Sequence, residues 1–340
     1  MANINMKKWL NDYKASRIKK AFPILTFPAI KPLGITVREV VTNSDMQANG
    51  MAWIAAHTDS SASVSFMDLS VEAECFGSNI RFTDGEVPTV IGRIIENETD
   101  AKALTVPEVG VARSDIYLET IRKATRLISD RPVFAGMIGP FSLAARLLGV
   151  SEIMIDCYDE SEMVTIVLEK ATDFLIQYAN AYKNAGANGI LLAEPVAGLL
   201  SPELESEFSS PYVKKIIDAV QDDSFILIYH NCGGNTPLMT ESLLSIGASA
   251  YHFGNAINLC DVLEKIPPNI PVMGNIDPAG QFCMGKPDSI RNATLELMEK
   301  ASLYDNFIIS SGCDIPPAAP WENIEAFFKA VHDYYEKNYT

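Results

Sequence analysis

No apolar run in this sequence approaches the length of a bilayer-spanning helix, so no membrane association of that kind is expected. The first twenty residues are basic, but neither an apolar stretch nor a small-residue cleavage site follows them. That argues against a secretory signal and leaves the cytoplasm as the expected compartment. Basic residues are in deficit overall, with 27 Lys and Arg against 43 Asp and Glu, a formal net charge of −16. A nucleic-acid binder needs a basic patch, so no nucleic-acid partner is expected. Cysteine is scarce, six in 340 residues, which excludes a disulfide scaffold. Cys157, Cys260 and Cys283 read as small buried hydrophobes, and Cys75 is left open. No G-x-G-x-x-G turn follows a predicted strand, which counts against a dinucleotide-binding sheet. There is no internal repeat, low-complexity tract or linker.

What remains is an ordinary globular composition, 48% hydrophobic and 21% charged. An N-terminal helix is expected over residues 4 to about 18. Eight short apolar runs then read as strands: Phe22–Pro28, Ser63–Asp68, Pro132–Gly139, Gly189–Glu194, Phe225–His230, Ala250–Gly254, Pro271–Ile276 and Phe307–Ser311. Helical patterns separate most of them, over Val37–His57, Ser114–Ser129, Glu160–Ala185, Glu203–Val220, Leu238–Ile246, Ser289–Leu303 and Trp321–Tyr335. Ser201-Pro202 and Thr236-Pro237 are helix-start signals. Strand–helix alternation implies a parallel sheet, and eight strands in one chain favour an α/β, (β/α)8 TIM barrel as a single domain over residues 1–340. The irregular stretch at about 72–113, with a hairpin marked by Asp84-Gly85, is an insertion after the second strand that reads as an excursion over the barrel mouth.

In such a barrel the chemistry sits at the C-terminal ends of the strands. Those ends carry Asp68, Glu194, His230 with Cys232, His252, Asn275 with Asp277, and Cys313 with Asp314. Residues i and i+2 of an extended chain point the same way, so His230 and Cys232 aim an imidazole and a thiol at one point. Cys313 follows the last apolar run and faces them across the mouth if both runs are barrel strands. Three ligands of this type with an open fourth position describe catalytic zinc. The competing reading is a satisfied strand-end histidine and two inert cysteines. Two thiolates and a neutral imidazole neutralise Zn2+, so a further thiol would lose its proton there and stay nucleophilic. Water-activating zinc sites more often use histidine or carboxylate ligands.

Tyr229-His-Asn-Cys-Gly-Gly, Val272-Met-Gly-Asn-Ile-Asp-Pro and Ser311-Gly-Cys-Asp-Ile-Pro-Pro-Ala-Ala-Pro-Trp-Glu-Asn-Ile resemble motifs of the uroporphyrinogen decarboxylase superfamily. Gly136-Met-Ile-Gly-Pro-Phe and Ala193-Glu-Pro-Val-Ala are weaker matches. The chain is most similar to the corrinoid-dependent branch, the methylcobalamin:coenzyme M methyltransferases. That resemblance implies zinc held by His230, Cys232 and Cys313. It also implies a methyl group passed from a methylcorrinoid, usually on a small corrinoid-carrying partner protein, to a thiol acceptor such as coenzyme M. Homocysteine and a non-thiol acceptor such as a folate stay open.

The arginine-rich segment with which the decarboxylases grip propionates is replaced here by Phe22-Pro-Ile-Leu-Thr-Phe-Pro-Ala-Ile-Lys-Pro. Phe66-Met-Asp68-Leu does resemble the decarboxylase segment whose aspartate binds pyrrole nitrogens. Asp68 is therefore a candidate contact for substrate or corrinoid, and the alternative activity is a metal-free tetrapyrrole decarboxylase centred on it. Asn275 joins Asp68 as a candidate corrinoid contact. The methyltransferases can complete the resting zinc shell with a carboxylate; Glu72 or Glu194 could supply one, or water could take its place, and either glutamate could instead serve as a structural acceptor. No Asp-x-His-x-x-Gly segment is present, so the corrinoid is expected on another protein rather than on this chain.

Overall fold

Short β-rich apolar runs alternating with amphipathic helices can pair only in parallel, because each crossover returns the chain to the same edge of the sheet. The computed structural model, which describes residues 4–339, has this arrangement. Seven strands form one parallel sheet: β1 (Ser63–Val64), β4 (Val133–Ile138), β5 (Gly189–Ala193), β6 (Ile226–Asn231), β7 (Ala250–Phe253), β8 (Val272–Ile276) and β9 (Phe307–Ser311). They lie in chain order. The remaining two, β2 (Asn79–Arg81) and β3 (Thr89–Ile91), make the antiparallel hairpin expected around Asp84-Gly85.

Side chains alternate across the sheet. Phe134, Leu191, Ile226, Ile228, Ala250, Met273 and Ile308 share one buried cluster. Ala135, Ile190, Leu192, Leu227, Tyr229, Tyr251, Val272 and Ile309 face the other way, into the larger core beneath the helices. The N-terminal helix, Met6–Ala15, brings Met6 and Leu10 to the first cluster and docks through Met6 N–H on the Asp223 carbonyl (2.7 Å).

The expected first strand, Phe22–Pro28, is not a strand. Its chain still runs between the sheet's two ends. Phe22 N–H donates to Ile309 O on β9 (3.0 Å), and Ser61 N–H, just before β1, donates to Ala21 O (2.9 Å). Pro23 has no N–H, and Ile24 N–H goes to the Ser311 hydroxyl (3.0 Å), so no ladder develops. Phe27–Ala29 then tighten into a 3-10 turn. The sheet therefore has seven strands rather than eight.

Two helices expected to be continuous are broken. Val37–His57 is Val37–Val41 and Ser44–His57, divided at Asn43, whose side chain accepts from Asp45 and Met46 N–H (2.9 and 3.1 Å). Glu203–Val220 is Pro202–Phe208 and Ser210–Val220. Pro140–Leu148 and Val150–Asp159, which follow β4, and Val71–Cys75 and Glu98–Ala103 in the irregular stretch are helices that the apolar pattern did not reveal. Among the described residues, no helix is long and apolar enough to cross a membrane.

Candidate metal centre

β6 ends in His230 and Asn231, and Cys232 follows, so the two-residue period carries the imidazole and the first thiol to the same side. β9 ends at Ser311, and Gly312 and Cys313 continue beyond it. Close backbone approach makes this junction possible. A Cβ on Gly254 would stand 2.5 Å from the Cys232 Cα, and one on Gly312 would stand 2.8 Å from the Asn255 amide nitrogen. Only glycine lets the ends of β6, β7 and β9 converge at these two points. The ligating atoms of His230, Cys232 and Cys313 all lie within 4.8 Å of one another, with Cys313 Sγ 3.4 Å from His230 Nε2. His230 is buried and both cysteines are half-buried, so the group opens to solvent on its sulfur side.

The electrostatics suit metal capture. The Cys232 thiol is pushed well below the ordinary thiol range, chiefly by the hydrogen bond from Cys313. Cys313 is pushed up by the same contact and by burial. All six cysteines are free. Cys157 is buried as expected, whereas Cys260 and Cys283 are only half-buried.

Behind His230 stands a second histidine. His230 and His252 are register partners on β6 and β7. Their Nδ1 atoms lie 2.8 Å apart, and the His252 carbonyl is 3.2 Å from His230 Nδ1. His252 Nε2 is 2.7 Å from the Ser310 hydroxyl, which donates to Phe22 O at 2.5 Å. Burial, then His230, pushes His252 well below the ordinary histidine range, so its ring is neutral. His252 was visible as a strand-end residue, but nothing in the sequence pairs it with His230 or with Ser310.

No carboxylate joins the three-ligand group among the described residues. Glu194 lies fully buried under the start of Pro140–Leu148, where it accepts from Phe141 N–H, Ser142 N–H (both 2.9 Å) and the Ser142 hydroxyl (2.6 Å). It caps that helix, and burial raises its carboxyl to about 7. Glu72 is also buried: Oε1 accepts from Ile138 N–H (3.2 Å) and Oε2 has no hydrogen-bond partner. Burial raises Glu72 to about 7 as well. Asp68 accepts from Ser70 N–H (3.1 Å), the Ser70 hydroxyl (2.6 Å), the Tyr117 hydroxyl (3.3 Å) and, at short range, Arg113 Nη1. Arg113 also reaches Glu74 (2.6 Å) and Ser70 (2.8 Å). Asn275 spends its amide N–H groups on Gly254 O (2.9 Å) and Ile257 O (3.0 Å), bracing the chain after β7. Arg113, Tyr117 and Ser70 carry no motif that marks them as partners of Asp68 in the sequence.

Fold and site together define a parallel α/β protein with an open thiol-rich centre at the strand ends. The chain belongs to the uroporphyrinogen decarboxylase (URO-D) family, whose profile matches residues 27–334. It is 24% identical to the methylcobamide:CoM methyltransferase MtbA of Methanosarcina acetivorans, over 97% of this chain and 99% of that protein. It is 30% identical to the uroporphyrinogen decarboxylase of Desulfotalea psychrophila, over 80% of each. Among solved structures, a methyltransferase from Methanosarcina mazei matches with a TM-score of 0.86 at 24% identity, covering 98% of this chain and 99% of that one. A B12-independent methionine synthase from a Shewanella species matches with a TM-score of 0.62 at 11% identity, covering 94% and 96%. The resemblance read from the motifs therefore holds at the level of the family.

Proposed function

We propose that this protein is a zinc-dependent methyltransferase that moves a methyl group from a methylated corrinoid to a thiol such as coenzyme M. The observation that carries the reading is the convergence of His230, Cys232 and Cys313, whose ligating atoms lie within 4.8 Å of one another. The donor set fits zinc by type: one imidazole, two sulfurs, and no fourth protein ligand in the group. Bound zinc would lower the proton affinity of an incoming thiol and hold its sulfur in place. The chain's own residues do the rest. Cys232, already biased to the thiolate, and Cys313 supply negative charge that keeps a bound sulfur nucleophilic. His230 is held from behind, and the half-buried sulfur side leaves room for acceptor and methyl donor to approach.

In this reading Phe22–Pro28 stands in for the missing eighth strand and closes a single-domain (β/α)8 barrel, with the 72–113 excursion over its mouth. The corrinoid comes on a small partner protein, and the enzyme works in the cytoplasm. Asp68 and Asn275, which also had a role at the corrinoid in prospect, serve by shaping that mouth. Glu72 and Glu194 serve as framework rather than as zinc ligands. The metal-free decarboxylase centred on Asp68 is the weaker reading, because Arg113, Ser70 and Tyr117 already occupy that carboxylate.

The deciding experiment is incubation with methylcobalamin and a panel of thiols, following the cobalamin spectrum. Demethylation that needs zinc, a thiol and Cys313 is expected. Full transfer by Cys313→Ser, or by protein stripped of metal, overturns the reading.

A further inference from the structure

A histidine that binds a metal through one ring nitrogen must carry its proton on the other, and a neighbouring acceptor normally holds it there. That acceptor is commonly a carboxylate, a backbone carbonyl or water. Behind His230 the nearest side-chain acceptor is another imidazole, that of His252, at 2.8 Å.

The direction of each bond in this group follows from its far end. Phe22 O is a carbonyl and cannot donate. A 2.5 Å contact between it and the Ser310 oxygen must therefore contain the Ser310 hydrogen. Ser310 is left with only lone pairs to offer His252, so the 2.7 Å contact takes its hydrogen from His252 Nε2. His252 is fully buried and its ring contacts are His230 and Ser310, neither of them an anion, so the ring carries one hydrogen only and is bare at Nδ1. The 2.8 Å contact between the two Nδ1 atoms must take its hydrogen from His230. With its hydrogen on Nδ1, a metal-binding His230 offers Nε2, the atom that faces Cys313 at 3.4 Å. Running the chain backwards would make Ser310 donate to His252 and leave two oxygens 2.5 Å apart with no hydrogen between them.

We propose that His252 and Ser310 are positioning residues: with the Phe22 carbonyl they form a one-way hydrogen-bond chain that holds His230 with its proton on Nδ1 and its Nε2 lone pair directed at the two cysteines. All three side chains are buried, so water does not compete for these bonds. The proline that breaks the expected first strand sits next to the anchor, and Phe22 O is free for Ser310 in place of a ladder partner. An imidazole acceptor also differs from a carboxylate in adding no negative charge behind the metal ligand. The consequence for metal affinity rests on the zinc reading above, whereas the proton positions do not.

The test uses full-length protein with 15N-labelled histidine, which has four histidine signals to resolve. His57 and His332 are exposed, and His57→Gln and His332→Gln variants assign their signals. In metal-free protein, the ring shifts should show His230 protonated at Nδ1 and His252 at Nε2. Ser310→Ala, a small replacement in the interior, should produce mixed tautomers at both rings. His252→Phe should raise the zinc Kd by about 10- to 100-fold in chelator competition. His252→Asn, whose amide oxygen can replace Nδ1 as acceptor, should restore most of it. Such recovery is not expected if the imidazole merely fills space. A wild-type His230 protonated at Nε2 overturns the proposal, as do unchanged shifts in Ser310→Ala. Wild-type protein that shows the expected shifts but takes up no zinc would instead overturn the methyltransferase reading and leave the chain of bonds standing.

Discussion

Arg113 reaches back from the end of the irregular 71–113 stretch and closes on Asp68, in a pair whose two side chains are almost entirely removed from solvent. Asp68 carries the one motif likeness to the decarboxylase substrate site, and the pair takes it out of service as a free carboxylate. Breaking a buried ion pair by removing one partner leaves an uncompensated charge and costs about 3–5 kcal/mol. Arg113→Ala should lower stability by roughly that amount in urea titrations, while Arg113→Lys, which cannot also reach Glu74 and Ser70 in the same fork, should recover part of it. Wild-type protein should show no uroporphyrinogen turnover.

Glu194 offers a clean separation between a framework role and a place in the metal shell. Glu194→Ala would leave the N–H groups of Phe141 and Ser142 buried and unpaired, at roughly 1–3 kcal/mol each. Thermal denaturation should show a destabilisation of that order, and Glu194→Gln, which keeps one acceptor oxygen, should show less. Zinc stoichiometry should be unchanged in both. Loss of zinc from a well-folded Glu194→Gln would assign this residue to the centre after all.

The metal content itself is the simplest measurement. Purified wild-type protein should carry roughly one zinc per chain, as expected for a three-ligand site with one open position. Cys232→Ser and Cys313→Ser should each lose most of it, because a serine hydroxyl does not ionise as a thiol does. Both variants should stay folded, since each cysteine is half-buried and neither holds a disulfide.

Stability should fall as pH rises through neutrality. Glu72 and Glu194 both sit at about 7 in the folded protein against an ordinary carboxyl value of 4.5. Between those values the native state binds more protons than the unfolded chain. ΔG of unfolding therefore decreases with pH across that window, and this contribution is fully present only below it. Urea midpoints measured from about pH 5 to pH 8 should decline. Glu72→Gln, which is neutral throughout, should flatten the slope and be relatively more stable at the alkaline end. A wild-type midpoint that rises over the same range would contradict the assignment.

Much of the framework was legible because it depends on local periodicity. Seven of the eight expected strands are present, although Ser63–Asp68 is cut to Ser63–Val64 and leaves Asp68 beyond the strand end; a run such as Phe225–His230, buried on both faces, has no other economical conformation. Phe22–Pro28 misled for a local reason too: its apolar content is that of a strand, but Pro23 forfeits a ladder bond. The split at Asn43 is a capping event inside a continuous apolar pattern, and such a pattern does not register it. His230, Cys232 and Cys313 could be named because strand ends and the two-residue period are sequence properties. Glu194 could be named as a strand-end carboxylate, but not as the cap of a helix whose N-terminus is folded against it.

The sequence by itself determined that His230 and Cys313 would stand at or just past strand ends, and on which side of the chain His230 and Cys232 would point. Alternation along an extended backbone depends on no distant partner. Only the tertiary structure decided what stands behind those residues. Parallel register sets His230 opposite His252, Ser310 arrives from β9, and Phe22 contributes its carbonyl from the far end of the chain. Those contacts join positions widely separated in sequence, and none leaves a periodic trace. The direction of the bonds is then set by a carbonyl that can only accept and by the burial that leaves His252 a single ring hydrogen.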